Sequence, residues 1–310
     1  MEPILLGKTD LSISRLGFGA APIGFLETPQ GQVDKLIALL LDEGVNLFDT
    51  AAMYNDAEDK LGLALKGRRD EAVLISKCGT KDDGLPGKEW SAELITASIE
   101  RSLKRLKTDR LDLTLLHSCD LSVMQQGDAV EALIKAREAG KTTYLGYSGD
   151  NAEAAAAAEM DWVDAIEMSV NICDQHNIDT VLPLCRTNNV GVIAKRPIAN
   201  AAWNPLNKQR GMYKEYARVY HDRLKQMNIT PVELGYHGHA EIEWPEIALK
   251  FTLAIKGVDA AIVGTTSTVN ASANIEAVNK NPLREQVVQK LRKAFKDAES
   301  ASGEDWVGQT

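Results

Sequence analysis

Val45-Asn46-Leu47-Phe48-Asp49-Thr50-Ala51-Ala52-Met53-Tyr54, with Glu58 and Gly62 behind it, begins as a strand and ends as a candidate site. Val45, Leu47 and Phe48 form a short apolar run of the kind that is buried in a parallel sheet. The run stops on a carboxylate, Asp49, and a tyrosine, Tyr54, follows five residues later. A strand that delivers a carboxylate to its carboxyl end, followed by a loop carrying a phenol, suits an active site. The plainer reading is a strand stop and a turn aromatic. The surrounding chain has to choose between them.

On both sides of this stretch strand and helix alternate. Apolar runs predict strands at 16–19, 45–49, 72–77, 111–117, 142–148, 163–169, 190–195 and 260–263. Helical periodicity and stop signals predict helices at 33–43, 57–66, 92–106, 124–139, 151–159, 179–187, 245–255 and 269–279. Residues 1–15 read as a hairpin turning at 7–10, and a last helix is expected over 283–298. Eight βα units imply a parallel sheet closed into a (β/α)8 TIM barrel, with the N-terminal β-hairpin and an extra C-terminal helix added to it. No composition shift divides the chain, so one barrel domain over 1–310 is expected. A long loop at about 200–243 interrupts the rhythm at the catalytic rim. A doubly wound dinucleotide fold would place GxGxxG after the first strand. Here Gly17-Phe18-Gly19-Ala20-Ala21-Pro22 has proline where the third glycine belongs.

Bulk properties narrow the function. The 310 residues are 44% hydrophobic and 25% charged, an ordinary globular balance. A net charge of −9, spread along the chain, argues against nucleic acid or an anionic membrane as partner. Cys78, Cys119, Cys173 and Cys185 lie far apart without a CxxC, which fits reduced thiols in a cytoplasmic protein. The N-terminus lacks the basic start and apolar core of a signal peptide, and no apolar run is long enough to span a bilayer.

In such a barrel the active site lies at the carboxyl ends of the strands. Three successive strands end there in Asp49, Lys77 and His117, with Tyr54 in the loop after the first. Each has a plain reading as a solvated cap or a structural histidine; together at one rim they point to catalysis. This pattern resembles the aldo-keto reductase superfamily over nearly the whole chain. Asp49-Thr50-Ala51-x-x-Tyr54-x-x-x-Glu58-x-x-x-Gly62 is similar to the family's first signature, Lys77 and His117 complete its tetrad, and Gly264 through Ile275 resembles its cofactor-binding segment.

The resemblance implies hydride transfer between a nicotinamide cofactor and a carbonyl or alcohol, with no metal. It makes Tyr54 the general acid/base, Lys77 the cation that eases its ionisation, Asp49 the partner of Lys77, and His117 a donor to the substrate oxygen. It also implies cofactor contacts at Ser148, Glu167, Lys195, Arg196, Gly264, Thr265, Thr266, Ser267, Asn270 and Asn274. The family's asparagine after Ser148 is replaced by Gly149, its strand-six glutamine by Glu167, and its strand-seven stacking residue by Lys195. Lys195 and Arg196 also suit a pyrophosphate, or a plain basic loop edge. The 264–274 segment carries no basic residue for a 2′-phosphate, so NADP(H) and NAD(H) both remain open. Its hydroxyls fit an anion site and a set of helix N-caps equally.

His237-Gly238-His239-Ala240-Glu241 could alternate zinc ligands, but a lid or a wall of the substrate pocket is the preferred reading for that loop. Trp203, Tyr213, Tyr216, Tyr220 and Trp244 either line a pocket for a small carbonyl or sugar-like substrate or pack the loop down. Two rivals stay open: a non-catalytic, cofactor-binding redox-sensing or scaffold member of the same family, and a Schiff-base aldolase acting through Lys77.

Overall fold

Eight short strands close into a parallel barrel, and a hairpin plugs its amino-terminal end. In this computed structural model residues 1–82, 84–209 and 213–310 are described. β1 (Pro3–Leu5) pairs antiparallel with β2 (Ser12–Ser14). The barrel strands are β3 (Leu16–Gly19), β4 (Leu47–Asp49), β5 (Val73–Cys78), β6 (Leu111–His117), β7 (Thr142–Ser148), β8 (Ala165–Ser169), β9 (Gly191–Lys195) and β10 (Ala260–Val263). Their order is β10-β3-β4-β5-β6-β7-β8-β9, closed on itself, with every neighbouring pair parallel.

Period-two alternation sorts the side chains into two cores. Leu47, Ile75, Leu113, Leu115, Ala165, Ile193 and Ile262 point into the barrel, where Leu6, Leu11 and Ile13 of the hairpin join them. The intervening residues, such as Phe48, Leu74, Leu116 and Ile166, point outward to the helices. At Gly7 the plug touches the start of β9: its φ is +52°, and a Cβ there would lie 2.2 Å from the amide nitrogen of Gly191. Only glycine tolerates both conditions.

The helices follow the expected order with local differences. Gly127, at φ +94°, breaks the helix expected over 124–139 into Leu121–Gln126 and Asp128–Glu138. The helix expected over 179–187 is likewise two short pieces, His176–Thr180 and Leu182–Thr187. The main correction concerns the loop expected at 200–243, of which 210–212 lie outside the described residues. It holds the helix Tyr213–Met227, whose Ala217, Tyr220, Leu224 and Met227 are buried at helical spacing. The next helix, Ala240–Ala254, starts five residues before Pro245 and carries that proline inside its second turn. Proline lacks the amide hydrogen that would bond Glu241 O here, a loss that is free only in the first turn of a helix. The last helix is Glu285–Ser302. Among the described residues no helix is long and apolar enough to cross a membrane.

Candidate active site

The alternation that fills the barrel also builds the site. Leu47, Ile75, Leu115, Ala165 and Ile193 face the interior, and two residues beyond each stands Asp49, Lys77, His117, Glu167 or Lys195. A period of two keeps these polar side chains on the inward face, at the carboxyl end. They meet beneath a cavity of about 390 Å³, lined by Asp49, Tyr54, His117, Ser148, Glu167, Lys195 and Arg196. Its wall includes Phe25, Met53, Tyr213 and Tyr216, with Gly264, Thr265 and Thr266 at one side.

Tyr54 is fixed by its neighbours. The turn after β4 closes with Tyr54 N–H donating to Ala51 O at 3.0 Å. Its ring lies 5.4 Å from that of Phe25 and 5.9 Å, edge-on, from that of His117. Gly24 lets the short helix Ala21–Phe25 approach, because a Cβ there would meet Tyr54 O at 2.2 Å. Behind the ring, Lys77 Nζ lies 5.4 Å from its centroid.

Lys77 does not face the cavity. It is buried beneath it, donating to Asp49 and, at 3.1 Å, to Thr50 O, with Glu167 Oε2 3.2 Å away. Thus two carboxylates share one ammonium. Burial alone would lower the Lys77 pKa, but Asp49 and Glu167 outweigh it and hold it above its ordinary value. Asp49 is pushed well up, first by burial and then by Glu167, against the pull of Lys77. Burial also raises Tyr54 above an ordinary phenol; Lys77 pulls it back, while Asp49 and Glu167 push it further. Tyr54 therefore keeps its proton at neutral pH. His117 is driven well below its ordinary pKa by burial and then by Lys77, Lys195 and Arg196, so it is neutral.

The other expected site residues divide into two groups. Ser148, Glu167, Lys195, Arg196, Gly264, Thr265 and Thr266 reach the cavity wall. Ser267, Asn270 and Asn274 are not among the lining residues; Ser267 Oγ caps the helix Thr268–Asn279 by accepting from Asn270 N–H at 3.3 Å. Lys195 pairs with the buried Asp150 at 3.0 Å. Glu167 does more than its position suggested: it accepts from Ser148 Oγ at 3.3 Å and becomes the second carboxylate on Lys77. Its Oε2, though near Lys77, has no aligned hydrogen-bond donor. A buried carboxylate acceptor with no aligned donor, on a residue of the cavity wall, fits an amide donor such as a nicotinamide carboxamide.

Sequence reasoning missed the chain end. Thr310 lines the cavity, and Gln309 O accepts from Arg196 and from Ser169 Oγ. Of the loop aromatics, Tyr213 and Tyr216 reach the cavity, whereas Trp203 stacks on Trp244 at 6.2 Å and Tyr220 is buried against Asp174. Glu243 accepts from the amides of His237 and Gly238 at 2.8 and 2.9 Å, so it tethers that loop to the helix start. All four cysteines are buried thiols; burial pushes Cys119 up to about 12.

Comparison with known proteins gives the class to which this barrel belongs. The Aldo/keto reductase family model matches residues 15–296, and the chain belongs to that family. It is 27% identical over 299 residues to the L-galactose dehydrogenase of Arabidopsis thaliana, covering 89% of this chain and 87% of the relative. It is 30% identical over 313 residues to the NADH-specific methylglyoxal reductase of Escherichia coli strain K12, covering 91% and 94%. The holo form of an aldo-keto reductase from Bacillus halodurans is 27% identical, with a TM-score of 0.79 and coverage of 95% and 96%.

Proposed function

We propose that this protein is an NAD(P)-dependent oxidoreductase that interconverts small aldehydes or ketones with alcohols, with Tyr54 as its acid–base group. The convergence of Asp49, Tyr54 and His117 at one cavity, with Lys77 buried beneath it, carries the reading. A nicotinamide dinucleotide bound there would supply or accept the hydride. Tyr54 lines the cavity and keeps its proton, so it can give that proton to a developing alkoxide and take it back in oxidation. Neutral His117 offers one ring N–H to the same oxygen and orients it. Lys77, kept charged by its two carboxylates, lies close enough to steady a tyrosinate. That pairing also disfavours a neutral, Schiff-base lysine.

Ser148 and Glu167 suit the carboxamide. Lys195, Arg196, Gly264, Thr265 and Thr266 suit the phosphates, with Ser267, Asn270 and Asn274 beyond them toward the adenosine end. Phe25, Met53, Tyr213 and Tyr216 give the substrate space an apolar wall, which favours a small carbonyl or a sugar. The two curated relatives suggest the first substrates to try: L-galactose for oxidation and methylglyoxal for reduction.

The test is a titration of the wild type and Tyr54→Phe with NADH and NADPH, followed by turnover on a carbonyl and aldose panel. Both proteins should bind a cofactor, and the variant should lose on the order of 10²- to 10⁴-fold in kcat. Cofactor binding without turnover by the wild type would support the non-catalytic alternative. Failure to bind either cofactor would end the oxidoreductase reading.

A further inference from the structure

We infer that Glu167 makes this site hold the oxidised, cationic nicotinamide ring more tightly than the reduced, neutral one. The inference rests on the nicotinamide reading above and adds to it which form of the cofactor the barrel favours.

The argument begins with position. Glu167 stands at the inward-facing end of β8, with its side chain 3% exposed, and it lines the cavity. One oxygen is engaged by Ser148; the other has the Lys77 ammonium at 3.2 Å but no aligned donor. A glutamine would match this carboxylate in size and could accept the same hydrogen bonds. What glutamate adds is charge.

One ammonium, that of Lys77, faces two carboxylates, Asp49 and Glu167, both buried. Two further cations, Lys195 and Arg196, line the same cavity. Lys195 pairs with Asp150 at 3.0 Å. Arg196 donates to Ser169 Oγ and Gln309 O, and its guanidinium lies 5.1 Å from the centroid of the Tyr216 ring. His117 is neutral. Around Lys77 itself two carboxylates therefore meet one ammonium, and Glu167 is the one whose charge a glutamine of the same size would remove. In a site screened from water a carboxylate at the cavity wall acts strongly on a charge placed beside it.

Hydride transfer changes the formal charge of the ring by one, from cationic when oxidised to neutral when reduced. The carboxamide and phosphates are the same in both forms. A neutral hydrogen-bond partner such as Ser148 thus treats both alike, whereas a buried carboxylate distinguishes them. The overall equilibrium between free substrates and products is untouched. What changes is which cofactor form occupies the site, and an enzyme charged with the oxidised form is poised to oxidise an alcohol.

The experiment is isothermal titration calorimetry of the wild type, Glu167→Gln and Ser148→Ala with NAD⁺, NADH, NADP⁺ and NADPH. Within each oxidised–reduced pair the readout is the ratio of Kd values. E167Q should raise Kd(oxidised)/Kd(reduced) roughly tenfold relative to wild type, by weakening the oxidised form. S148A should weaken both forms by the same factor. A ratio unchanged within about twofold in E167Q, or an equal loss for both forms, overturns the inference and leaves the nicotinamide reading standing. No binding of any of the four by the wild type overturns both. If circular dichroism shows E167Q unfolded, Glu167→Met is read against the same criteria.

Discussion

The two ends of the barrel interior are built from the same strands and obey opposite rules. At the plugged end, Leu47, Leu113, Ala165 and Ile193 meet Leu6, Leu11 and Ile13 of the hairpin in one apolar cluster. Two residues further along β4, β8 and β9 stand Asp49, Glu167 and Lys195, and β5 and β6 carry Lys77 and His117 at their carboxyl ends. One step of the strand period separates a core from a charge cluster. The lower end adds stability by burying apolar area. The upper end holds charges out of water, which is costly unless each is paired. Changes at the open rim should therefore act through charge, and changes at the plugged end through volume.

Lys77→Met gives the largest effect. It leaves Asp49 and Glu167 facing each other without their cation, so stability should fall by about 3–5 kcal/mol in denaturant unfolding, along with turnover. Adding Glu167→Gln should restore part of that loss. If the double variant is no more stable than the single one, the picture of two carboxylates competing for one ammonium is wrong.

At the plugged end, Leu113→Ala should cost about 2–5 kcal/mol by opening a cavity. Its cofactor Kd should stay within about twofold of wild type, since a change of 1.4 kcal/mol is needed for tenfold. A large change in cofactor affinity would mean that the two ends are not independent.

This contrast also explains how much of the molecule was legible in the sequence. Strand ends and their polar termini follow from local alternation, so Asp49, Lys77 and His117 could be placed on one rim without coordinates. The contact between Lys77 and Glu167 could not, because β5 and β8 are not neighbours in the barrel and meet only across its closed interior. The helix Tyr213–Met227 was overlooked although its buried spacing is regular. Its tyrosines drew attention as pocket residues, and the long segment around it suggested a loop. The chain end was beyond reach for another reason. Its ties to Arg196, Ser169 and Arg223 run through the backbone carbonyls of Gln309 and Val307, and backbone groups leave no signature in residue type.

That chain end provides the smallest and sharpest test, because one carboxylate joins it to the rim. Asp174 accepts from Tyr220 O–H at 2.9 Å and from Gln309 N–H at 3.0 Å, and it is fully buried. Burial, and then Asp150, raise its pKa to about 7. The unfolded chain loses this proton near pH ~4, whereas the folded protein keeps it to about 7. Folded Asp174 therefore binds more protons than unfolded Asp174 across that window, and its contribution to stability falls as pH rises. Above about 7 both states are ionised and the contribution levels off. Asp174→Asn keeps an acceptor for Tyr220 and Gln309 but cannot titrate. Between pH ~6 and ~8 the wild type should lose about 1.4 kcal/mol relative to this variant in urea unfolding. Parallel curves for the two proteins would show that Asp174 ionises in the folded protein as it does in the unfolded chain, and that the tie to Gln309 is indifferent to its charge.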